Sequence, residues 1–145
     1  MNTPVLTAFN NKGGVGKTSL VYHLSWMFAE LGYRVVAIDL DPQANLSTAF
    51  LDEDQLIDLW ENERNEGSTV YKCVEPLTKV GDIIPPKTIE IDERIHLVPG
   101  DLGLANFEDT LSQEWPNSMG SSDLYRAFRI LSAFWSIAQK AANAH

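Results

Sequence analysis

The sequence contains one cysteine, Cys73, in 145 residues. An internal disulfide and a CxxC metal or redox site are therefore excluded. The lone thiol reads as a small, partly buried apolar side chain. Basic residues are also scarce: 11 Lys and Arg stand against 20 Asp and Glu, for a net charge of -9. A chain so acidic lacks the clustered cations that mark a nucleic-acid surface. Much of the excess lies between Asp52 and Glu66, where seven carboxylates accompany one base, Arg64. That is the pattern of a solvated helix face. No apolar run approaches the roughly 18 residues of a membrane span, and the N-terminus does not resemble a signal peptide. A cytoplasmic location is the default expectation. Internal repeats and low-complexity tracts are absent. His23, His96 and His145 form no cluster by spacing and read as packing or surface residues.

Hydrophobic residues make up 44% of the chain and charged residues 21%. This suits a single packed domain spanning residues 1–145. Val5 to Asn10 reads as a short buried strand. From Thr18 the period changes to that of a helix, with Leu20, Leu24, Phe28 and Leu31 on one face beside Val21 and Met27. Gly32 stands where a helix C-terminus favours a left-handed residue. Arg34 to Asp39 is an apolar, β-branched run and a second strand. Strand, helix and strand at this spacing form a βαβ unit with parallel strands.

Gln55 to Asn65 is read as a helix, and residues 67–93, broken by Pro76, Pro85 and Pro86, as short helices and loops. Ile95 to Val98 is a third strand, Leu104 to Trp115 a helix, and Pro116 to Ser121 a turn. Ser122 or Asp123 can cap a last helix with Leu124, Phe128, Leu131, Trp135, Ala138 and Ala142 on its face. Trp26, Trp60, Trp115 and Trp135 read as core or interface residues. The expected class is α/β, a mostly parallel sheet flanked by helices. The sequence stops after a helix with no returning strand, so either the fold is small or the chain is cut short.

Two motifs carry chemistry. The first is Asn10 to Ser19, "NNKGGVGKTS". A glycine-rich turn between a strand and a helix brings successive backbone N–H groups onto a phosphate, and the helix N-terminus adds unpaired donors and the positive end of its dipole. Gly13, Gly14 and Gly16 remove the Cβ atoms that would hold the phosphate off, while Val15 and Ser19 complete the loop. Lys17 would reach the β- and γ-phosphates, and the Thr18 hydroxyl would ligate Mg²⁺. Asn11 takes the place of the usual first glycine, and a second lysine, Lys12, follows it. The second motif is Asp39 to Asn45, "DLDPQAN", at the end of the second strand. Ligands of parallel sheets sit beyond the carboxyl ends of the strands, so Asp39 and Asp41 fall on the same edge as the glycine loop. Two jobs are open to them: holding Mg²⁺ through its waters, and orienting the water that attacks the γ-phosphate.

Together these motifs resemble the ParA/MinD family of ATPases, and its ParA partition branch most closely. Lys12 to Thr18 match that family's variant phosphate loop, K-G-G-x-G-K-[ST], in full, and "DLDPQAN" is the ParA form of its D-x-D strand end. "IHLVPGDLGLANFE", from Ile95, is similar to a further ParA stretch. The resemblance implies a P-loop fold and a Mg²⁺-dependent ATP hydrolase that partitions plasmids, chromosomes or other cargo. It implies that Lys12 reaches the phosphates of the other subunit in an ATP-dependent homodimer. It implies that Asp41 positions the hydrolytic water and that Asp39 lies on the Mg²⁺ side. Lys12, Lys17 and Asp41 are thus the expected catalytic residues. A ParB-like stimulating protein and nonspecific DNA are the implied partners, the DNA through a region not visible in this chain, with no membrane and a nucleoid-associated location. The family's later Walker B strand is missing, so the 145 residues are expected to be the N-terminal portion of a longer ATPase. Two alternatives stand beside this reading: a nucleotide-switched binding module with little or no hydrolysis, and a MinD-like membrane-cycling regulator, which needs an amphipathic anchor.

Overall fold

A computed structural model describes residues 3–10, 12–61, 66–79, 81–117, 129–130 and 132–144. The expected cap at Ser122 or Asp123, Leu124, Phe128 and Leu131 lie outside them. The described elements are α1 (Lys17–Glu30), β1 (Val35–Ile38), α2 (Asn45–Phe50), α3 (Glu53–Glu61), α4 (Val70–Thr78), β2 (Ile89–Asp92), β3 (Ile95–Val98), α5 (Leu104–Asn117) and α6 (Ala133–Asn143).

The strands form one three-stranded sheet in the order β1-β3-β2. β1 and β3 run parallel, with Ala37 beside Leu97 and Ile38 beside Val98. β2 and β3 are antiparallel, with a register irregularity between Glu90 and Asp92. The sheet is thus mixed. β2 is an element the proline-broken stretch concealed: its alternating Ile89-Glu90-Ile91-Asp92 is half-buried on one face only.

Strand alternation divides the core into two layers. Val98 and the half-buried Val36 and Ile38 pack with Val70, Val74, Leu77, Phe107 and Ile137 of α4, α5 and α6. Ala37 and Leu97 face the other way, onto Leu46, Leu51 and Leu59 of α2 and α3 and onto Val21 and Tyr22 of α1. Cys73 lies fully buried in the first layer, and burial pushes its thiol up to about 12, so it stays protonated and inert.

Local chemistry sets the helix ends. The C-terminus of α1 is a Schellman motif: Gly32 (φ 91°) donates to the Ala29 carbonyl at 2.9 Å and Tyr33 to Phe28 at 3.0 Å, and the Phe28 and Tyr33 rings meet edge to face. α3 begins with a reciprocal capping box, in which the Asp52 and Gln55 side chains each accept from the other's backbone N–H, at 2.9 and 3.0 Å. α4 begins at Thr69, whose hydroxyl accepts from the Lys72 N–H.

Three expectations are corrected. Residues 5–10 form no strand and pair with nothing in the sheet; Val5, Leu6 and Phe9 are 40%, 76% and 87% exposed. An apolar run of this kind becomes a strand only between neighbours that complete its ladder and cover its faces. Among the described residues the parallel pairing is β1 with β3, not residues 5–10 with β1. The face that α1 turns inward is Val21, Tyr22, Ser25 and Ala29, while Leu20, Met27 and Leu31 are exposed. The apolar arc of α1 is wider than one packing face, and the small residues allow the closer approach. Of the tryptophans read as core or interface residues, Trp26 is half-buried, and Trp115 and Trp135 are largely exposed.

This packing separates two kinds of position. Phe107→Ala, at a fully buried ring, should cost about 3–5 kcal/mol of unfolding free energy. Trp135→Ala, at an exposed one, should stay within about 0.5 kcal/mol. Urea unfolding monitored by circular dichroism measures both, and equal losses would contradict the core assignment.

Candidate functional site

The glycine loop is an exposed turn that runs directly into α1. The Lys12 N–H donates to the Asn10 side chain at 2.9 Å, which starts the turn. Gly14 and Gly16 have φ of 70° and 86°, a left-handed backbone that a side chain would strain. Gly16 is also the N-cap of α1, and no side chain caps that end. An uncapped first turn leaves its N–H groups without intrahelical partners, pointing along the axis with the positive end of the dipole. Lys17 and Thr18 are the first two residues of α1, and both are half-buried; Gly13, Val15 and Ser19 are exposed. Loop, lysine and hydroxyl therefore share one helix terminus.

The aspartate turn follows β1. Asp39 extends the parallel ladder, its N–H donating to the Val98 carbonyl at 3.1 Å. Its carboxylate is 3% exposed and accepts three hydrogen bonds. One oxygen takes the Ser47 N–H at 2.8 Å and the Ser47 hydroxyl at 2.7 Å; the other takes the Asp41 N–H at 3.2 Å. The Ser47 Oγ in turn accepts from the Gly100 N–H at 2.8 Å. Burial pushes the Asp39 carboxyl above its ordinary range, and the Ser47 and Asp41 donors oppose that rise. Asp41 is half-buried. Its side chain accepts from the Gln43 N–H at 2.9 Å and its carbonyl from the Ala44 N–H at 2.8 Å. The turn closes at Ala44, a fully buried residue with φ 52°, before α2 begins.

The two motifs are joined through packed elements, since α1 rests on both β1 and α2. Two clefts lie elsewhere. One of about 460 Å³ is lined by Asp54, Ile57, Asp58 and Glu61; the other, of about 300 Å³, lies between α3 and the start of β2. Neither is lined by a residue of the glycine loop or by Asp39 or Asp41. Among the described residues, no group of three or more His, Cys, Asp or Glu is placed to hold a metal ion. No described helix is long and apolar enough to cross a membrane.

Sequence reasoning missed Ser47 and Gly100. Ser47 sits in a short helix that carries no motif, and the glycine sits in a Pro-Gly pair that reads as an ordinary turn. Only the fold shows that a Cβ on Gly100 would stand 2.9 Å from the Asp39 carboxyl carbon and 3.3 Å from the Ala44 Cα.

Gly100→Ala should therefore destabilise the chain by about 1–3 kcal/mol, the cost of overpacking a filled site. Asp39 adds a pH dependence. Its native pKa is raised, so its contribution to stability is greatest below the ordinary value of 3.8 and declines as pH rises through the native value. The stability difference between wild type and Asp39→Asn, from urea titrations at stepped pH, should shift against the wild type over that window and then level off. A difference that moved the other way would reverse the assigned sign.

The family model described as "AAA domain" matches residues 3–129. The chromosome partitioning protein ParA of Caulobacter vibrioides is 30% identical over 125 residues, which is 86% of this chain and 42% of the relative. The sporulation initiation inhibitor protein Soj of Bacillus subtilis is 30% identical over 114 residues, 76% of this chain and 40% of the relative. Among solved structures, protein DIP2308 from Corynebacterium diphtheriae superposes with a TM-score of 0.80 at 28% identity, covering 94% of this chain and 46% of its own. The chain thus spans less than half the length of the relatives it matches. The glycine loop, the aspartate turn and these matches agree: the chain belongs to the AAA-domain family as a P-loop ATPase of the ParA/MinD type.

Proposed function

We propose that the chain binds Mg-ATP at the glycine loop and serves a ParA-like, nucleotide-switched ATPase that partitions DNA or other cargo. One observation carries the reading. The left-handed glycines Gly14 and Gly16 turn the backbone straight into an uncapped helix whose first two residues are Lys17 and Thr18. That arrangement supplies amide donors, a cation and a hydroxyl to a triphosphate at one point.

The roles follow from the chemistry of each group. Backbone N–H groups from Gly13 to Ser19 cradle the phosphates. Lys17 neutralises the β- and γ-phosphate oxygens. Mg²⁺, when bound with the nucleotide, neutralises the charge that develops on the transferred phosphoryl group. The residues fit this ion: it keeps several waters and takes only one or two protein oxygens beside the phosphates, so the Thr18 hydroxyl suffices without a carboxylate cage. Asp41 accepts a hydrogen bond from the attacking water and orients it. Asp39, expected on the Mg²⁺ side, has both oxygens engaged by three donors and serves the site indirectly. Lys12 crosses to the phosphates of a second subunit, which makes ATP a dimerisation switch. A ParB-like protein accelerates hydrolysis. Nonspecific DNA is engaged by a region outside these residues, which makes the protein cytoplasmic and nucleoid-associated.

A second reading, nucleotide binding with little turnover, is favoured by a separate observation. Residues 3–10, which lead into the loop, join no strand of the sheet, and residues 12–16 are exposed. A loop held at one end only binds phosphate more readily than it aligns an in-line attack.

Calorimetric titration with Mg-ATP tests the site. Lys17→Ala should weaken binding by about 10- to 100-fold, the value of a charge-assisted hydrogen bond. Asp41→Ala should hold affinity within about threefold while phosphate release falls by about 10²-fold. Lys12→Ala should abolish ATP-dependent dimerisation in light scattering and spare monomer binding. Undiminished binding by Lys17→Ala would refute the proposed site.

A further inference from the structure

We infer that Ser47 is a positioning residue for Asp41, acting through the buried Asp39 carboxylate. The inference rests on the water-orienting role proposed for Asp41. Three hydrogen bonds run in series from the end of β3 to that aspartate. The Gly100 N–H donates to the Ser47 Oγ at 2.8 Å. The Ser47 hydroxyl donates to one Asp39 oxygen at 2.7 Å, and the other Asp39 oxygen accepts from the Asp41 N–H at 3.2 Å. An ionised carboxylate can only accept, which sets the direction of the second bond. The Ser47 hydroxyl gives its one proton to that carboxylate and accepts the Gly100 N–H on a lone pair. The Ser47 backbone N–H holds the same Asp39 oxygen at 2.8 Å.

The carboxylate therefore has little freedom to rotate. It is wedged against Gly100, where a Cβ would stand 2.9 Å from its Cγ. Its second oxygen pins Asp41 from the N-terminal side, while the Ala44 N–H pins the Asp41 carbonyl at 2.8 Å from the other. The backbone of Asp41 is held on both sides, and its carboxylate accepts from the Gln43 N–H at 2.9 Å. Asp39 is in this account a lever between Ser47 and Asp41, and it acts on the water-orienting residue instead of on the cation. A misplacement of about 1 Å in such a group is enough to cost about 10²-fold in rate.

Amide hydrogen exchange by nuclear magnetic resonance reads the positioning without nucleotide. In Ser47→Ala the Asp41 amide should exchange about tenfold faster, the equivalent of one lost hydrogen bond, while the amides of β3 stay as in wild type. Ser47→Thr, which keeps the hydroxyl, should return the Asp41 amide to slow exchange. In turnover assays Ser47→Ala should lower kcat by about 10- to 100-fold and leave KM within about threefold. A variant that melts earlier but keeps wild-type exchange at Asp41 and wild-type kcat would make Ser47 merely structural and overturn the inference. Should Ser47→Ala not fold, Asp39→Asn carries the same expectations. Should the wild-type chain bind no Mg-ATP, the proposed function falls, and exchange at Asp41 alone decides the positioning.

Discussion

A carboxylate buried at the end of a strand is the constraint around which this fold is arranged. Asp39 is 3% exposed, and a charge so placed is tolerated only when donors replace the water it has lost. All three of its donors come from residues 41 and 47, so α2 must begin where its first turns can meet β1. That requirement reaches β3 through Gly100. The neighbouring residues extend it. The Pro99 carbonyl accepts from the Val70 N–H, and the Gly100 carbonyl from the Trp60 indole. Asp101 takes the Thr69 hydroxyl on one oxygen and the Gly103 N–H on the other. Pro99 to Asp101 thus anchor α2, α3, α4 and the entry to α5. The three residues after β3 satisfy one another's helices instead of solvent.

The opposite situation holds at the loop. Residues 3–10 have no ladder, the outward apolar stripe of α1 is uncovered, and the first turn of α1 is uncapped. Groups left unsatisfied by the fold are those with binding capacity. The free amides at the α1 terminus are what an anion needs, and the apolar surface beside them is what a packing partner needs. Order is thus concentrated where the aspartate turn is held, and openness at the glycine loop.

Much of this was legible in the sequence, for physical reasons that differ by element. The glycine loop was readable because close approach of backbone to a phosphate needs residues without Cβ, and the left-handed φ of Gly14 and Gly16 adds a second reason for glycine. The Gly32 helix end was readable for that second reason. β3 was found at its observed limits because Ile95, Leu97 and Val98 are apolar and the run is ended by Pro-Gly. Long-range pairing was not legible. Residues 5–10 and β1 carry the same kind of apolar run, yet only β1 has a partner. β2 was hidden because its alternation spans four residues behind three prolines. Ser47 and Gly100 could not be named from composition at all, because their importance arises from a contact 53 positions apart in the chain.

The net charge of -9 looks ill-suited to a triphosphate, but the two act over different ranges. At physiological ionic strength the field of a surface charge is largely lost beyond about 8 Å. Amides and lysines at hydrogen-bond distance act unscreened, and the glycine loop supplies both without a single carboxylate between Thr3 and Glu30. The acidic excess belongs instead to α3, where Glu53, Asp54 and Asp58 face solvent. A like-charged nucleic-acid backbone laid along that helix would meet repulsion from these carboxylates, which disfavours a DNA contact there. Local composition, not the total, decides which anion each surface can accept.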